Sequence, residues 1–322
     1  MINKVLITGA AGFLGSHLCD YFIARGDKVT GMDNMSTGSL KNLSHLKKNK
    51  KFTFYSHDII EDLPLGIMND KYDIILNMAS PASPPHYQRL GIETLRVGSI
   101  GTLNMLELAR KHGARFFHAS TSEVYGDPEV HPQPESYKGS VNCYGPRSMY
   151  DESKRYAEAL IYTHRQKFNT NTCIGRFFNT YGPRMDADDG RVVSNFIVQA
   201  LKNEPITVYG DGNQTRSFCY VDDLIIGIVA LIESGEEGPI NLGNPGEFTV
   251  RELAGMVIAQ TKSTSELTYL PLPGDDPLLR KPVIDIAKEK LNWEPIINLE
   301  SGLQKTISYF VEDLAKARGR KA

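Results

Sequence analysis

The sequence is poor in cysteine. Cys19, Cys143, Cys173 and Cys219 are scattered over 322 positions with no CxxC pair among them. That spacing argues against a disulfide scaffold or a zinc finger, and for a reducing compartment. The eight histidines include no HxH or HExxH arrangement, so no metal site is expected. Nowhere do eighteen apolar residues run uninterrupted, and Val5-Leu6-Ile7 is too short for the core of a signal peptide. An excess of charge is missing too. Lys plus Arg number 36 against 38 Asp plus Glu, a net of -2, which argues against a protein that grips nucleic acid by its phosphates. With 28 Gly and 17 Pro the chain is neither collagenous nor disordered. A soluble, cytoplasmic, globular protein is expected, long enough for two domains.

What the chain does have is alternation. Apolar, β-rich runs at 4–8, 28–33, 52–57, 72–78, 115–119 and 172–178 are separated by segments with helical spacing, among them 13–25, 93–112 and 150–168. Strands alternating with helices predict βαβ units, hence a Rossmann-type doubly wound parallel sheet. After Asn179 the character changes to short helices (192–202, 221–234, 250–261) between loops rich in Gly, Asp, Asn and Arg, with a last helix at 299–315. This divides the chain into a dinucleotide-binding domain, 1–178, and a smaller C-terminal substrate-binding domain, 179–322. A strand near 239–243 is expected to return to the main sheet.

The first βα junction carries the clearest chemistry. Gly9-Ala10-Ala11-Gly12-Phe13-Leu14-Gly15 follows a strand and opens a helix. Gly9 suits the tight turn, Gly12 lets a pyrophosphate approach the backbone, and Gly15 allows close helix packing. The helix N-terminus offers unpaired N–H groups and positive dipole to phosphate. Asp33, 18 residues beyond Gly15, ends the second strand. A carboxylate there accepts from ribose hydroxyls and repels a 2′-phosphate, so NAD is expected rather than NADP. Asn34 lies beside it, and Asp58-Ile59 after the third strand are placed near the adenine.

Further along, Tyr150-Asp151-Glu152-Ser153-Lys154 puts Tyr150 and Lys154 four apart on one helix face. A phenol ordinarily titrates near pH 10. The neighbouring ammonium and a nicotinamide's positive charge would favour the phenolate and make Tyr150 a usable base. Together with the glycine turn and the strand end Ala119-Ser120-Thr121, this resembles the extended short-chain dehydrogenase/reductases that act on nucleotide-sugars. The resemblance covers essentially the whole chain.

Within that family, Ser122-Glu123 stands where 4,6-dehydratases carry an Asp-Glu pair, and a serine cannot supply their acid. Ser80-Pro81-Ala82-Ser83-Pro84-Pro85-His86-Tyr87, Gly126-Asp127-Pro128-Glu129-Val130-His131-Pro132, Gly190-Arg191-Val192-Val193-Ser194-Asn195-Phe196 and Asp275-Asp276-Pro277 with Arg280-Lys281-Pro282 are similar to the UDP-glucuronate decarboxylases of the family. A dehydratase or an epimerase on the same fold is the alternative. The resemblance implies a catalytic group of Thr121, Tyr150 and Lys154, with Glu123 and Arg280 around the sugar's C5 and carboxylate. It implies a UDP-sugar held by Tyr87, Ser122, Asn179, Arg191, Val192, Thr207, Tyr209, Gln214, Arg216 and Arg280. It also implies a homodimer in which helices 93–112 and 150–168 of each subunit pair.

Two departures stand out. Gly98 replaces an Asn usual before the Gly-Thr of the long helix, so a contact near the nicotinamide is expected to be missing. Ser153 replaces a glycine common in similar sequences, with little effect expected. The membrane anchor of Golgi-resident members is not read at the amino terminus, in keeping with a soluble form.

Overall fold

The computed structural model describes residues 2–272, 274 and 279–319. The Asp275-Asp276-Pro277 segment lies outside the described residues. Six strands, β1 (Lys4–Thr8), β2 (Lys28–Asp33), β3 (Phe52–Ser56), β4 (Ile74–Asn77), β5 (Arg115–Thr121) and β6 (Thr172–Phe177), lie parallel in the order 3-2-1-4-5-6. The strand Ile240–Leu242 adds to the free edge of β6, also parallel. The central strands β1, β4 and β5 are buried on both faces because helices cover both. Val5 and Ile7 of β1, with Leu76 and Phe117, belong to one core, whereas Leu6, Ile75 and Phe116 face the other.

Chain order reverses between β1 and β4. At such a switch point the crevice outside the carboxyl ends of the strands is open to a ligand. Strand β5 continues to Thr121, two residues past its expected end at Ala119, since Ser120 and Thr121 pair with Arg176 and Phe177 of β6. The extension carries Thr121 to the lip of the crevice.

The segment expected as one helix over 93–112 is a rod in three parts. Gly91–Arg96 and Thr102–His112 are α-helical, and Val97–Gly101 between them is a π-helical turn. The rod presses on helix Ser148–Phe168 at that turn. A Cβ on Gly98 would lie 2.7 Å from Cβ of Ser153 and 2.8 Å from its carbonyl oxygen. The two departures in the sequence therefore touch each other: the residue without a side chain makes room for the serine.

Past Asn179, helices Val192–Lys202, Val250–Thr261 and Leu299–Gly319 share the larger core, through Phe196, Leu253, Leu303 and Phe310 among others. Thr249 and Glu252 close a reciprocal cap on the second of these. Ile206–Tyr209 pairs with Leu267–Leu270, and Thr215–Ser217 lies between Glu247–Thr249 and Leu279–Arg280. These short strands bring Thr207, Tyr209, Arg216 and Arg280 over the crevice. Among the described residues, no helix is long and apolar enough to cross a membrane.

Candidate active site

One cleft of about 900 Å³ opens at the carboxyl ends of the strands, and every site residue expected from the sequence lines it. Its inner end is the glycine turn. Gly9 has φ +64°, and a Cβ on Gly15 would sit 2.1 Å from the Gly9 carbonyl oxygen. Any side chain at Gly15 would therefore push helix Phe13–Arg25 off the turn. Gly12 precedes that helix and offers no side-chain cap, which leaves the first-turn N–H groups for a ligand.

Asp33 is buried at the end of β2, where one oxygen accepts from Ala11 N (2.9 Å) and the other from Met35 N (2.8 Å). Burial pushes its pKa up. Each oxygen retains a lone pair that a ribose hydroxyl can use. Asn34 and Asp58 are joined by a 2.7 Å hydrogen bond on the same wall. Bare helix terminus, glycine cradle and buried carboxylate fit a dinucleotide without a 2′-phosphate.

Over the middle of the crevice stand Thr121, Tyr150 and Lys154. Helix Ser148–Phe168 begins two residues before Tyr150, so both Tyr150 and Lys154 project from its first turns. The Tyr150 ring stacks on Tyr87 with centroids 5.1 Å apart and planes 10° from parallel. Burial and a hydrogen bond act on its phenol in opposite senses. Burial raises the Tyr150 pKa above its ordinary value, with a Thr121 hydrogen bond opposing. Lys154 donates to Ala119 O at 2.8 Å, and its Nζ lies 5.8 Å from the centre of the Tyr150 ring. Burial also lowers the Lys154 pKa to about 8. Burial thus favours the neutral phenol, and a positive charge brought by a ligand would favour its ionisation.

Beside this group lies a buried charge cluster. Arg280 is 1% exposed, and its guanidinium donates to the carbonyls of Ser122 and Gly126 and to Glu123 Oε2 (3.3 Å). Three of the five guanidinium N–H groups are engaged, which leaves two for a ligand. The neighbouring Lys281 differs from Arg280: it is part-exposed, with its ammonium 3.5 Å from Glu247. Burial alone would raise the Glu123 pKa, but Arg280 and Arg147, with Arg216 beyond, hold it down at about 2.

Sequence reasoning missed Arg147. It lies at the start of the Ser148–Phe168 helix, donates to Glu123 Oε2 at 2.5 Å and sits 5.9 Å over the Tyr87 ring. The Gly145-Pro146 breaker just before it marks a helix start, but nothing in the sequence points it at a residue 24 positions away. Asp151 was read only as part of the helix. It is buried, and burial, reinforced by Glu123, pushes its pKa up to about 7.

The remaining predicted contacts line the outer cleft. Arg191 is held by Asp189 through two bonds of 2.8 and 2.6 Å and covers the Phe13 ring at 5.7 Å, with Val192 next to it. Thr207 is bonded to Gln199, and Gln214 donates to Tyr209 O at 2.6 Å. Tyr209 is 43% exposed and so belongs to the cleft wall, not to a strand core. Arg216 donates to Thr215 O, and Asn179 lies on the floor between Phe178 and Thr180.

A parallel sheet with its switch-point crevice, a glycine turn and a Tyr-Lys pair define a dinucleotide-dependent enzyme of the short-chain dehydrogenase type. The chain belongs to the NAD dependent epimerase/dehydratase family, whose model matches residues 5–243. Among curated proteins it is 51% identical to UDP-glucuronic acid decarboxylase 1 of Arabidopsis thaliana over 307 residues, 95% of this chain and 69% of that one. It is 50% identical to UDP-glucuronic acid decarboxylase 1 of Danio rerio over 97% of this chain and 73% of that one. A solved structure of UDP-glucuronic acid 4-epimerase from Bacillus cereus with UDP-glucuronic acid and NAD aligns at TM-score 0.86 and 28% identity, covering 96% of this chain and 99% of that one.

Proposed function

We propose that this protein converts UDP-glucuronate to UDP-xylose and carbon dioxide, with NAD as a cofactor regenerated in each cycle. The observation that carries the reading is Arg280: a buried guanidinium with two N–H groups to give, paired to Glu123 beside Thr121, Tyr150 and Lys154. A cation there suits a sugar that bears a carboxylate. An epimerase on glucuronate would share that need, so carboxylate recognition alone does not separate the two reactions. The separation rests on likeness over nearly the whole chain, about half identity to decarboxylases against 28% to the epimerase.

When NAD is bound, the chemistry it supplies is reversible hydride removal at C4 of the sugar. The chain's own residues handle the protons and the charge. Tyr150 takes the C4 hydroxyl proton, aided by its bond to Thr121 and by the Lys154 ammonium. The C6 carboxylate is then β to a ketone. The C5–C6 bond breaks, its electron pair enters the C4–C5 enolate, and carbon dioxide leaves. Arg280 orients the carboxylate and helps a water deliver the proton to C5. Glu123, held between Arg280 and Arg147, positions the ring. Tyr150 returns its proton as the C4 alcohol is restored, so there is no net oxidation.

In this reading residues 1–178 bind NAD through Gly9, Gly12, Phe13, Leu14, Gly15, Asp33, Asn34, Asp58 and Ile59. Residues 179–322 hold UDP through Asn179, Arg191, Val192, Thr207, Tyr209, Gln214 and Arg216, with Tyr87 and Ser122 against the sugar. The protein works as a cytoplasmic homodimer. Support for the dimer comes from Ile92, Leu95, Ile100, Leu103, Tyr156 and Tyr162, exposed on the rod and on helix Ser148–Phe168. A monomer mass by light scattering would count against it. The activity is tested with UDP-glucuronate labelled at C6: labelled carbon dioxide should appear without accumulation of reduced cofactor. Full retention of the label would refute the reading.

A further inference from the structure

The loop that runs from Gly126 to Gln133 contributes no side chain to the proposed chemistry, yet it meets the Arg280 segment at two points. We infer that Gln133 is a positioning residue for Arg280: it clamps the chain just after the arginine and so fixes where the guanidinium points. The inference rests on the role given to Arg280 above.

Gln133 is fully buried. Its Oε1 accepts from Lys281 N at 2.9 Å, and its own backbone N donates to Lys281 O at 2.8 Å. Its carbonyl accepts from Val283 N at 2.9 Å. The side-chain amide is oriented by its other end, since Nε2 donates to Val130 O at 2.8 Å. Asn241, on the edge strand of the central sheet, ties the clamp down by donating to Gln133 O and Val283 O, each at 3.0 Å. Its Oδ1 in turn accepts from Tyr125 OH at 2.7 Å. At the other end of the loop, Gly126 O receives Arg280 itself at 3.0 Å.

One loop therefore holds the guanidinium at its start and the backbone beyond it at its end. A long, rotamer-rich side chain is useful in a buried site only when its root is fixed. Among the described residues, Leu279 and Arg280 themselves pair with Thr215 and Arg216. The bonds from Gln133 extend that anchorage past Arg280.

Gln133→Met keeps volume but removes Oε1 and Nε2. In the NAD-loaded protein it should lower the turnover number for decarboxylation about tenfold to a hundredfold. Calorimetry should show weaker binding of UDP-glucuronate and unchanged binding of UDP-xylose. UDP-xylose should still reduce bound NAD as in the wild type, because oxidation at C4 uses Tyr150, Thr121 and Lys154 and involves no carboxylate. That intact half-reaction also certifies the fold. Should the methionine variant not fold, Gln133→Asn, one methylene shorter, is put through the same measurements. Unchanged decarboxylation, or parallel loss of both reactions, would overturn the assignment. A wild type that is reduced by UDP-xylose yet leaves UDP-glucuronate intact would overturn the proposed function itself.

Discussion

Tyr150→Phe is expected to lower turnover by about 10²–10⁴-fold while leaving the affinity for NAD close to that of the wild type. The loss corresponds to roughly 3–5 kcal/mol of barrier. Phenylalanine preserves the ring that stacks on Tyr87, so packing around the site should survive. What disappears is the oxygen that hydrogen-bonds with Thr121, the group proposed to take the C4 proton. Burial favours the neutral phenol, so the positive charge of oxidised NAD would help Tyr150 to take that proton. A variant with wild-type turnover would show that the C4 proton leaves by another route.

Arg280→Met should have the second large effect, and on two observables. Decarboxylation should fall by about a hundredfold or more, since the carboxylate loses its only proposed partner and its alignment. Stability should fall as well, by about 3–5 kcal/mol, because Ser122 and Gly126 lose a buried donor and Glu123 loses a counter-charge. The pH dependence follows from Glu123. Its folded pKa is depressed to about 2, so its stabilising contribution is present above the unfolded value and is lost as pH falls through the folded one. Without Arg280 the folded pKa rises, and acid unfolding should begin at higher pH. Thermal melts of both proteins across acidic pH measure this. Identical acid limbs would mean that Arg147 and Arg216 hold Glu123 ionised without Arg280.

Much of this was readable in the sequence because it is local. Val5-Leu6-Ile7 is apolar at every position, as a strand covered on both faces must be, and the glycines follow it directly. Helices 13–25, 192–202 and 250–261 fall where apolar spacing put them. The family motifs pointed to residues that line the outer cleft, which composition and periodicity could not. What the sequence hid depends on residues far apart in the chain meeting in space. Arg147 reaches Glu123 and Gln133 reaches Lys281 across 24 and 148 positions. Gly98, in the π-helical turn, lies against Ser153, and helical periodicity carries no trace of such a contact. The surroundings of Tyr150 and Lys154 are hidden for a related reason. The i, i+4 spacing places Lys154 nearby, but only the fold reveals that Ala119 O takes its ammonium and that burial dominates.

The most direct test of the whole account is turnover of UDP-glucuronate with NAD in heavy water, followed by proton NMR. The expected product is UDP-xylose carrying one deuterium at C5, because the carbon that loses the carboxylate takes its proton from solvent. A product that keeps its carboxylate and differs only in configuration at C4 would contradict it, and would make the protein an epimerase.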